Sequence, residues 1–360
     1  MIKIPGLIDV HVHMREPGAA YKEDWSTGTA AALAGGVTMV LAMPNTTPPI
    51  VDAETLEVAL SAAKRSALCD YAQFIGAGSE NAAQTVQVAS RTAGLKMYLD
   101  MTYGELRLDD MTLWQNHFEK WSSPFPIVVH AEKQTMAAAI LFSAIYDRPI
   151  HIAHVSTREE IVTIRTAKEK GVNVTCEVTP HHLFLSTEDF PQLSRNDEFP
   201  GRKEVRPHLA SPRDVQALWD NLEVIDCFAT DHAPHTLQEK DGDEPPPGFP
   251  GLETALPLFL TAVDQGKLSL DDVLTRMVDN PRRIFRLPLQ QNTWVEIDPE
   301  LTYTIHQDKL FTKCGWTPFE GWEVRGRVEK VVIRGVTVFE AGEVLAKPGF
   351  GRDVRSRPLE

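Results

Sequence analysis

The stretch "GLIDVHVHMREPG", residues 6–18, sets two histidines, an arginine and an acid behind a short apolar run. Residues 7–13 have the composition of a β-strand that closes in polar side chains. Alternation along a strand places His11 and His13 on one face whether or not they bind anything. The pair is therefore either a metal claw at a strand end or two ordinary polar positions, and the rest of the chain has to decide.

What recurs along the chain is a short β-rich run ending in polar residues, followed by a helical stretch. After "LIDVHVH" (7–13) come "GVTMVLAMPN" (36–45), "YAQFIGAG" (71–78), "LKMYL" (95–99) and "PIVVHAE" (126–132). "PIHIAHV" (149–155), "NVTCEV" (173–178) and "VIDCFATDHAP" (224–234) complete the series. Between them, "DAETLEVALSAAKRSA" opens on an N-cap Asp, and "STREEIVTIRTAKEKG" has Ser-x-x-Glu capping spacing and a terminal Gly. Eight near-continuous apolar strands alternating with helices predict an α/β chain with a parallel sheet buried on both faces. Eight strands also close a (β/α)₈ barrel, and the competing open sheet lacks a GxGxxG after its first strand. After "NPRRIFRL" (280–287) the pattern changes to the antiparallel alternation of "WVEIDPELTYTI" and "GRVEKVVIRGVTVFEAGEVL". The expected division is a barrel over 7–288 and a β-rich subdomain with C-terminal tail over 289–360, joined by residues 1–6.

A chain of 360 residues, 42% of them hydrophobic, can bury a sizeable core. Its 36 Lys and Arg stand against 50 Asp and Glu, a net charge of −14, and neither terminus carries a basic run. That excludes nucleic acid as the expected partner, since phosphates need a basic face, but leaves room for a small anionic substrate. Cys69, Cys176, Cys227 and Cys314 show no CxxC spacing, which fits a reducing compartment. No apolar run reaches membrane-spanning length and no signal-peptide pattern opens the chain, so a cytoplasmic protein without a membrane partner is expected. The polar ending "GRDVRSRPLE" reads like the edge of a domain cut from something longer.

The odd polar residues fall at strand ends. His11 and His13 close the first strand, Lys96 lies in the fourth, His130 closes the fifth, His154 the sixth and Asp231 the eighth. In a barrel all C-terminal strand ends open onto one face, where active sites of this fold sit. Taken singly, each has a bland reading: a hydrogen-bonded core histidine, or a lysine snorkelling to the surface. Taken together, five strands deliver ligand-type residues to one mouth. Imidazoles and a carboxylate without thiolate suit Zn²⁺ first, with Mn²⁺ or Co²⁺ as substitutes. Four histidines exceed the needs of one open catalytic zinc. Two metals use them better, with His11, His13 and Asp231 on one and His130 and His154 on the other. A bridge is still required, and the neutral amine of Lys96 can add CO₂ to form a carbamate that spans two cations.

"DVHVHMREPG", "AMPNT", "GLKMYL", "VVHAE", "HIAHVS", "EVTPHHL" and "ATDHAPH", extended by "GFPGLET" and "NPRRIF", together resemble the dihydroorotases of the amidohydrolase superfamily. The likeness covers nearly the whole chain. It is strongest to the dihydroorotase domain of the animal multifunctional pyrimidine-synthesis protein, which also carries carbamoyl phosphate synthetase and aspartate transcarbamoylase. The resemblance implies a (β/α)₈ barrel with a small β subdomain, and two zincs bridged by carboxylated Lys96. It implies reversible cyclisation of N-carbamoyl-L-aspartate to L-dihydroorotate, with Asp231 carrying a proton between the attacking water and the ring nitrogen. Arg15 and Asn45 would bind the substrate α-carboxylate, with His235, Arg206 and the backbone at Pro247 completing the cradle. A surface ion pair of Arg15 with Glu16 or Glu23 is the ordinary alternative, and "PPPGFPG" alone reads equally well as a rigid turn. The stretch "LDMTYGELRLDD" (99–110) would be a mobile lid whose Thr102 touches substrate.

Two departures stand out. Tyr103 follows Thr102 where animal members tend to have Phe, which keeps the ring and adds a hydroxyl. Ala153 stands where some members have a Cys that, with the Glu at position 177, holds a further zinc. Without that thiolate, Glu177 is either a remaining metal ligand or, with His182, an orienter of the ligands. Allantoinases and dihydropyrimidinases share the barrel, but their substrates lack the carboxylate that Arg15 and Asn45 would serve. A metal-free scaffold relative is the rival from another class, and such relatives lose ligands. A homodimer, and fusion to the two other pyrimidine-synthesis activities, are the expected partners.

Overall fold

The computed structural model describes residues 1–356. Eight parallel strand positions form the barrel: β2 (Leu7–Val12), β3 (Val37–Ala42), a third made of β4 (Asp70–Gln73) and β5 (Ile75–Gly76), β6 (Leu95–Tyr98), β7 (Ile127–His130), β8 (Ile150–Ile152), β9 (Val174–Val178) and β10 (Cys227–Phe228). They follow β1 (Ile2–Pro5) in the chain. Hydrogen bonding runs β2-β3-β4 and β5 through β10. The ring closes where Val12 bridges His232 in parallel and His13 N donates to His232 O at 2.8 Å. The eight sequence-predicted strands are all present at their expected places.

Along β6, β7, β8 and β9 the apolar residues Leu95, Met97, Ile127, Val129, Ile150, Ile152, Val174, Cys176 and Val178 pack outward in the large core beneath the helices. Their alternates face inward: Val128 and Ala153 join Ile8, Val10, Met39, Leu41, Phe74, Cys227 and Ala229 in a separate inner core. That parity places Lys96, Tyr98, His130, Glu177 and, two beyond Ala229, Asp231 in the barrel interior.

The helices follow their caps. Thr55 N donates to Asp52 Oδ1 at 2.8 Å, which starts the helix Ala53–Ser66 where expected. The helix Arg158–Glu169 uses Thr157 and Glu160 reciprocally, one residue later than the Ser156 spacing suggests, because the Glu160 carboxylate also collects the Ser156 amide. Among the described residues no helix is long and apolar enough to cross a membrane.

A five-stranded antiparallel sheet lies apart from the barrel, in the order β1, β11 (Trp294–Thr304), β12 (Glu323–Ile333), β13 (Val336–Glu340) and β14 (Glu343–Val344). Its first strand is the start of the chain, Ile2–Pro5 pairing with Trp294–Ile297. Between β11 and β12 a connection returns to the barrel mouth, where Trp316 Nε1 donates to His235 O at 2.7 Å. Lys313 N and the Thr312 hydroxyl there donate to the buried Glu23 carboxylate.

The loop after β10 depends on Gly248, whose φ is +145° and whose missing Cβ would lie 2.5 Å from Ala233 O. Gly248→Ala is expected to cost about 1–3 kcal/mol, read as a fall in thermal midpoint, because an L side chain is strained there and meets backbone.

Candidate active site

The interior parity of the strands brings most of the expected residues to one cavity. His11, His13, Arg15, Asn45, Thr102, Tyr103, His130, His154, Arg206, Asp231 and Pro247 all line it, together with Tyr98, Ala233 and Gly248. Free space inside is about 20 Å³, room for one water rather than a substrate, with Thr102 and Tyr103 of the 99–110 stretch against it. Lys96, Glu177 and His235 are buried around it.

Three of the ligand-type residues, His11, His13 and His154, reach the cavity only by breaking alternation. Ile8 and Val10 belong to the inner core, so strict alternation would send His11 outward. The β2–β3 register shifts between Asp9 and Val12, and His11 turns in to meet Glu177 of β9. Asp9 fixes that bend, accepting from His11 N at 3.1 Å and from Thr230 N at 3.2 Å. Likewise His151 and Ala153 take the inward positions near the end of β8. His154 faces in because its backbone is left-handed, with φ +37°. Asp231 (φ +45°) and Arg15 (φ +56°) share this strained geometry, which clusters at functional sites.

The ligand atoms of His11, His13 and Asp231 lie within 4.8 Å of one another. Asp231 Oδ1 is 3.2 Å from His11 Nε2 and 3.0 Å from His13 Nε2. His130 Nδ1 and His154 Nε2 are 2.8 Å apart, and the rings of His11 and His154 are 5.3 Å apart, so the two groups adjoin. Burial holds His13 near pKa 4 and His130 near 3, and drives His154 well below the usual histidine range. These are neutral imidazoles, the form that binds metal. His130 Nε2, His154 Nδ1, Lys96 Nζ and the Tyr98 hydroxyl are buried without any hydrogen-bond partner. The free ring nitrogens of two neutral histidines beside a carboxylate offer lone pairs that a divalent cation would take up, so these residues fit a metal centre, which the Lys96 amine joins only in its neutral or CO₂-modified form.

Glu177 sits behind His11 rather than at the metal point. Its oxygens are taken by His11 Nδ1 and, at 3.1 Å, by His151 Nε2. Burial pushes its carboxyl up, but His11 and His151 outweigh that and bring it to about 2. A carboxylate on the far nitrogen of a ligand histidine fixes its tautomer and raises its basicity. Glu177→Gln is therefore expected to weaken metal binding about 10- to 100-fold, measured by zinc titration. His182 is fully engaged elsewhere, by Thr179 at 2.8 Å and Pro207 O at 3.1 Å, and steadies the segment that carries Arg206.

Arg15 lines the same cavity. Its Nε donates to Pro234 O at 3.1 Å and its Nη2 lies 3.0 Å from His235 Nε2, with no ion pair to Glu16 or Glu23. Asn45 Oδ1 is 2.7 Å from His13 Nδ1, and its Nδ2 donates to Tyr103 O at 3.0 Å. The stretch after β6 thus takes up the Asn45 amide through the Tyr103 carbonyl. Sequence reasoning missed Tyr98, although Lys96 two residues earlier puts it on the same strand face. It also missed Lys22, which nothing in "YKEDW" distinguishes from an exposed loop lysine.

A family model described as dihydro-orotase-like matches residues 1–103. The chain is 55% identical over 359 residues to the multifunctional protein CAD of Squalus acanthias, covering 100% of this chain and 16% of that protein. It is 38% identical over 371 residues to the dihydroorotase of Pyrococcus abyssi, covering 98% of this chain and 87% of the relative. This chain belongs to the dihydroorotase family. Among solved structures, the inactive dihydroorotase-like domain of a Chaetomium thermophilum CAD-like multifunctional protein superposes with TM-score 0.83 at 31% identity, covering 98% of each chain. The L-hydantoinase (dihydropyrimidinase) of Arthrobacter aurescens gives TM-score 0.92 at 23% identity over 98% of this chain and 88% of its own, a likeness of fold. Membership fits the (β/α)₈ barrel described above and suggests metal use at the dihydroorotase mouth.

Proposed function

We propose that this chain interconverts N-carbamoyl-L-aspartate and L-dihydroorotate, the ring-closing step of pyrimidine biosynthesis. The observation that carries the reading is one cavity with two ends. A cluster of neutral histidines around Asp231 lies at one, and the Arg15 guanidinium with Asn45 lies at the other. His11, His13 and Asp231 would hold one Zn²⁺ and His130 and His154 a second, with a CO₂-derived carbamate on Lys96 between them. A third zinc has little support, because Glu177 is spent on two histidines and Ala153 offers no thiolate. Bound there, zinc supplies a Lewis acid for the amide carbonyl and a water acidified to a pKa of about 7.

The chain's own residues do the rest. Both histidine contacts of Asp231 fall on Oδ1, which leaves Oδ2 to take a proton from the attacking water and return it to the ring nitrogen. Arg15, Asn45, Arg206 and His235, with the backbone at Pro247, would hold the substrate carboxylate. Thr102 and Tyr103 shut the lid and exclude water. The barrel over 7–288 would form one unit and 289–360 with 1–6 another. A homodimer, a cytoplasmic location and fusion to carbamoyl phosphate synthetase and aspartate transcarbamoylase belong to the same proposal. The fusion is supported by relatives of which this chain spans 16%.

The likeness to an inactive dihydroorotase-like domain makes the ligand set the test of an alternative, a scaffold without chemistry. His11, His13, Lys96, His130, His154 and Asp231 are all present and face one mouth. The experiment is a substrate panel on the purified zinc-loaded chain. Turnover of dihydroorotate in excess over dihydrouracil and allantoin supports the reading. Preference for either of the latter, or no bound zinc and no turnover, overturns it.

A further inference from the structure

Lys22 has no part in the reading above, yet it is only 2% exposed. Its Nζ has three partners: Glu239 Oε1 at 2.7 Å, His235 Nδ1 at 3.0 Å and the Tyr103 hydroxyl at 3.3 Å. An ammonium has three N–H donors and no acceptor, so this set uses it completely. Glu239 Oε1 also accepts from the Tyr21 hydroxyl at 2.8 Å, which anchors the ion pair.

The consequence falls on His235. Its Nδ1 faces the Lys22 ammonium and its Nε2 faces Arg15 Nη2 at 3.0 Å. Burial, with Arg15 and Lys22 adding to it, holds the ring neutral, and a neutral imidazole has a single accepting nitrogen. Lys22 is held against Nδ1 by its ion pair with Glu239 and lies outside the cavity lining, whereas Arg15 lines the cavity, where another acceptor can meet its donors. Nδ1 is then the acceptor and Nε2 carries the hydrogen. Arg15 Nη2 and His235 Nε2–H become two donors facing one point, an arrangement relieved by an anionic oxygen placed between them. On the lid side, the Tyr103 ring stands edge-on to His235 at 4.9 Å, and its hydroxyl takes the third Lys22 donor.

We propose that Lys22 is a positioning residue that fixes His235 as an Nε2–H donor beside Arg15 and latches the shut lid through the Tyr103 hydroxyl. Only the identity of the anion, a substrate carboxylate, rests on the proposed function.

The test uses the zinc-loaded chain with ¹⁵N-labelled histidine. His235, assigned by its loss in His235→Gln, is expected to show a protonated Nε2 in the wild type and a protonated Nδ1 in Lys22→Met. Trypsin cleavage after Arg107, within the lid, should quicken about tenfold in both Lys22→Met and Tyr103→Phe. The KM for dihydroorotate should rise about tenfold in Lys22→Met with a smaller change in kcat. A protonated Nδ1 in the wild type overturns the proposal, as does an unchanged Arg107 cleavage rate in Tyr103→Phe. Both decide even where Lys22→Met fails to fold. Neither depends on dihydroorotate being the substrate, so a failure of that reading shows separately, in the kinetics alone.

Discussion

Asp231→Ala is expected to abolish turnover in both directions, by at least about 10⁴-fold, because in the proposed function one carboxylate both carries the proton and holds a metal. Asp231 Oδ1 is the one oxygen in reach of both His11 and His13, at 3.2 and 3.0 Å. Histidines, the Asp9-tied strand end and the barrel closure all converge on it. Alanine also sits poorly at φ +45°, so Asp231→Asn is the sharper comparison: Asn tolerates the left-handed region and keeps the side-chain volume. Asn cannot accept and return the proton, and its amide is a poor ligand. Kinetics in both directions with zinc content and circular dichroism check the result. Activity within tenfold of wild type in either variant would remove Asp231 from the chemistry.

Lys96→Met is expected to divide stability from activity. The Lys96 amine is fully buried and has no hydrogen-bond partner, and burial brings it from 10.5 to about 8. In the metal-free protein that uncompensated ammonium is a cost, so methionine should stabilise the fold by about 1–3 kcal/mol at pH 7. The amine's folded value lies below its unfolded one. Between about pH 8 and 10.5 the unfolded chain therefore binds more protons, and wild-type stability rises with pH. The gain from methionine should accordingly be largest below pH 8 and vanish by 10.5, as measured by denaturant unfolding after chelation. Activity should fall at least about 10³-fold with loss of bound zinc, since no bridging anion can form. A destabilised Met variant that retains both zincs would show that Lys96 packs rather than bridges.

The eight strands and the strand-end positions of His130 and Asp231 are legible in the sequence, because apolar runs that end in polar residues are local features of the chain. The inward direction of Lys96, His130 and Asp231 shows once the structure fixes which alternate positions of each strand face the inner core. His11, His13 and His154 reach the cavity by a route that the sequence pattern does not show. Alternation alone would turn each away from the mouth, and a register shift and a left-handed residue correct them. The sequence leaves two roles for Glu177, ligand and orienter. The decision came from His151, on the neighbouring strand, which occupies its second oxygen. The expected capping of the helix after His154 was one residue early, because two adjacent hydroxyl residues fit the same signal.

The sequence by itself determined the barrel, the face on which chemistry gathers and the residue types gathered there, since apolar period and strand-end polarity are local properties of the chain. Only the tertiary structure decided which of those residues touch. It placed Glu177 behind His11, closed Tyr103 on Asn45, and buried Lys22 against Glu239 and His235. Those pairings join residues as far apart as Lys22 and His235, 213 positions, through contacts of about 3 Å that no local pattern encodes.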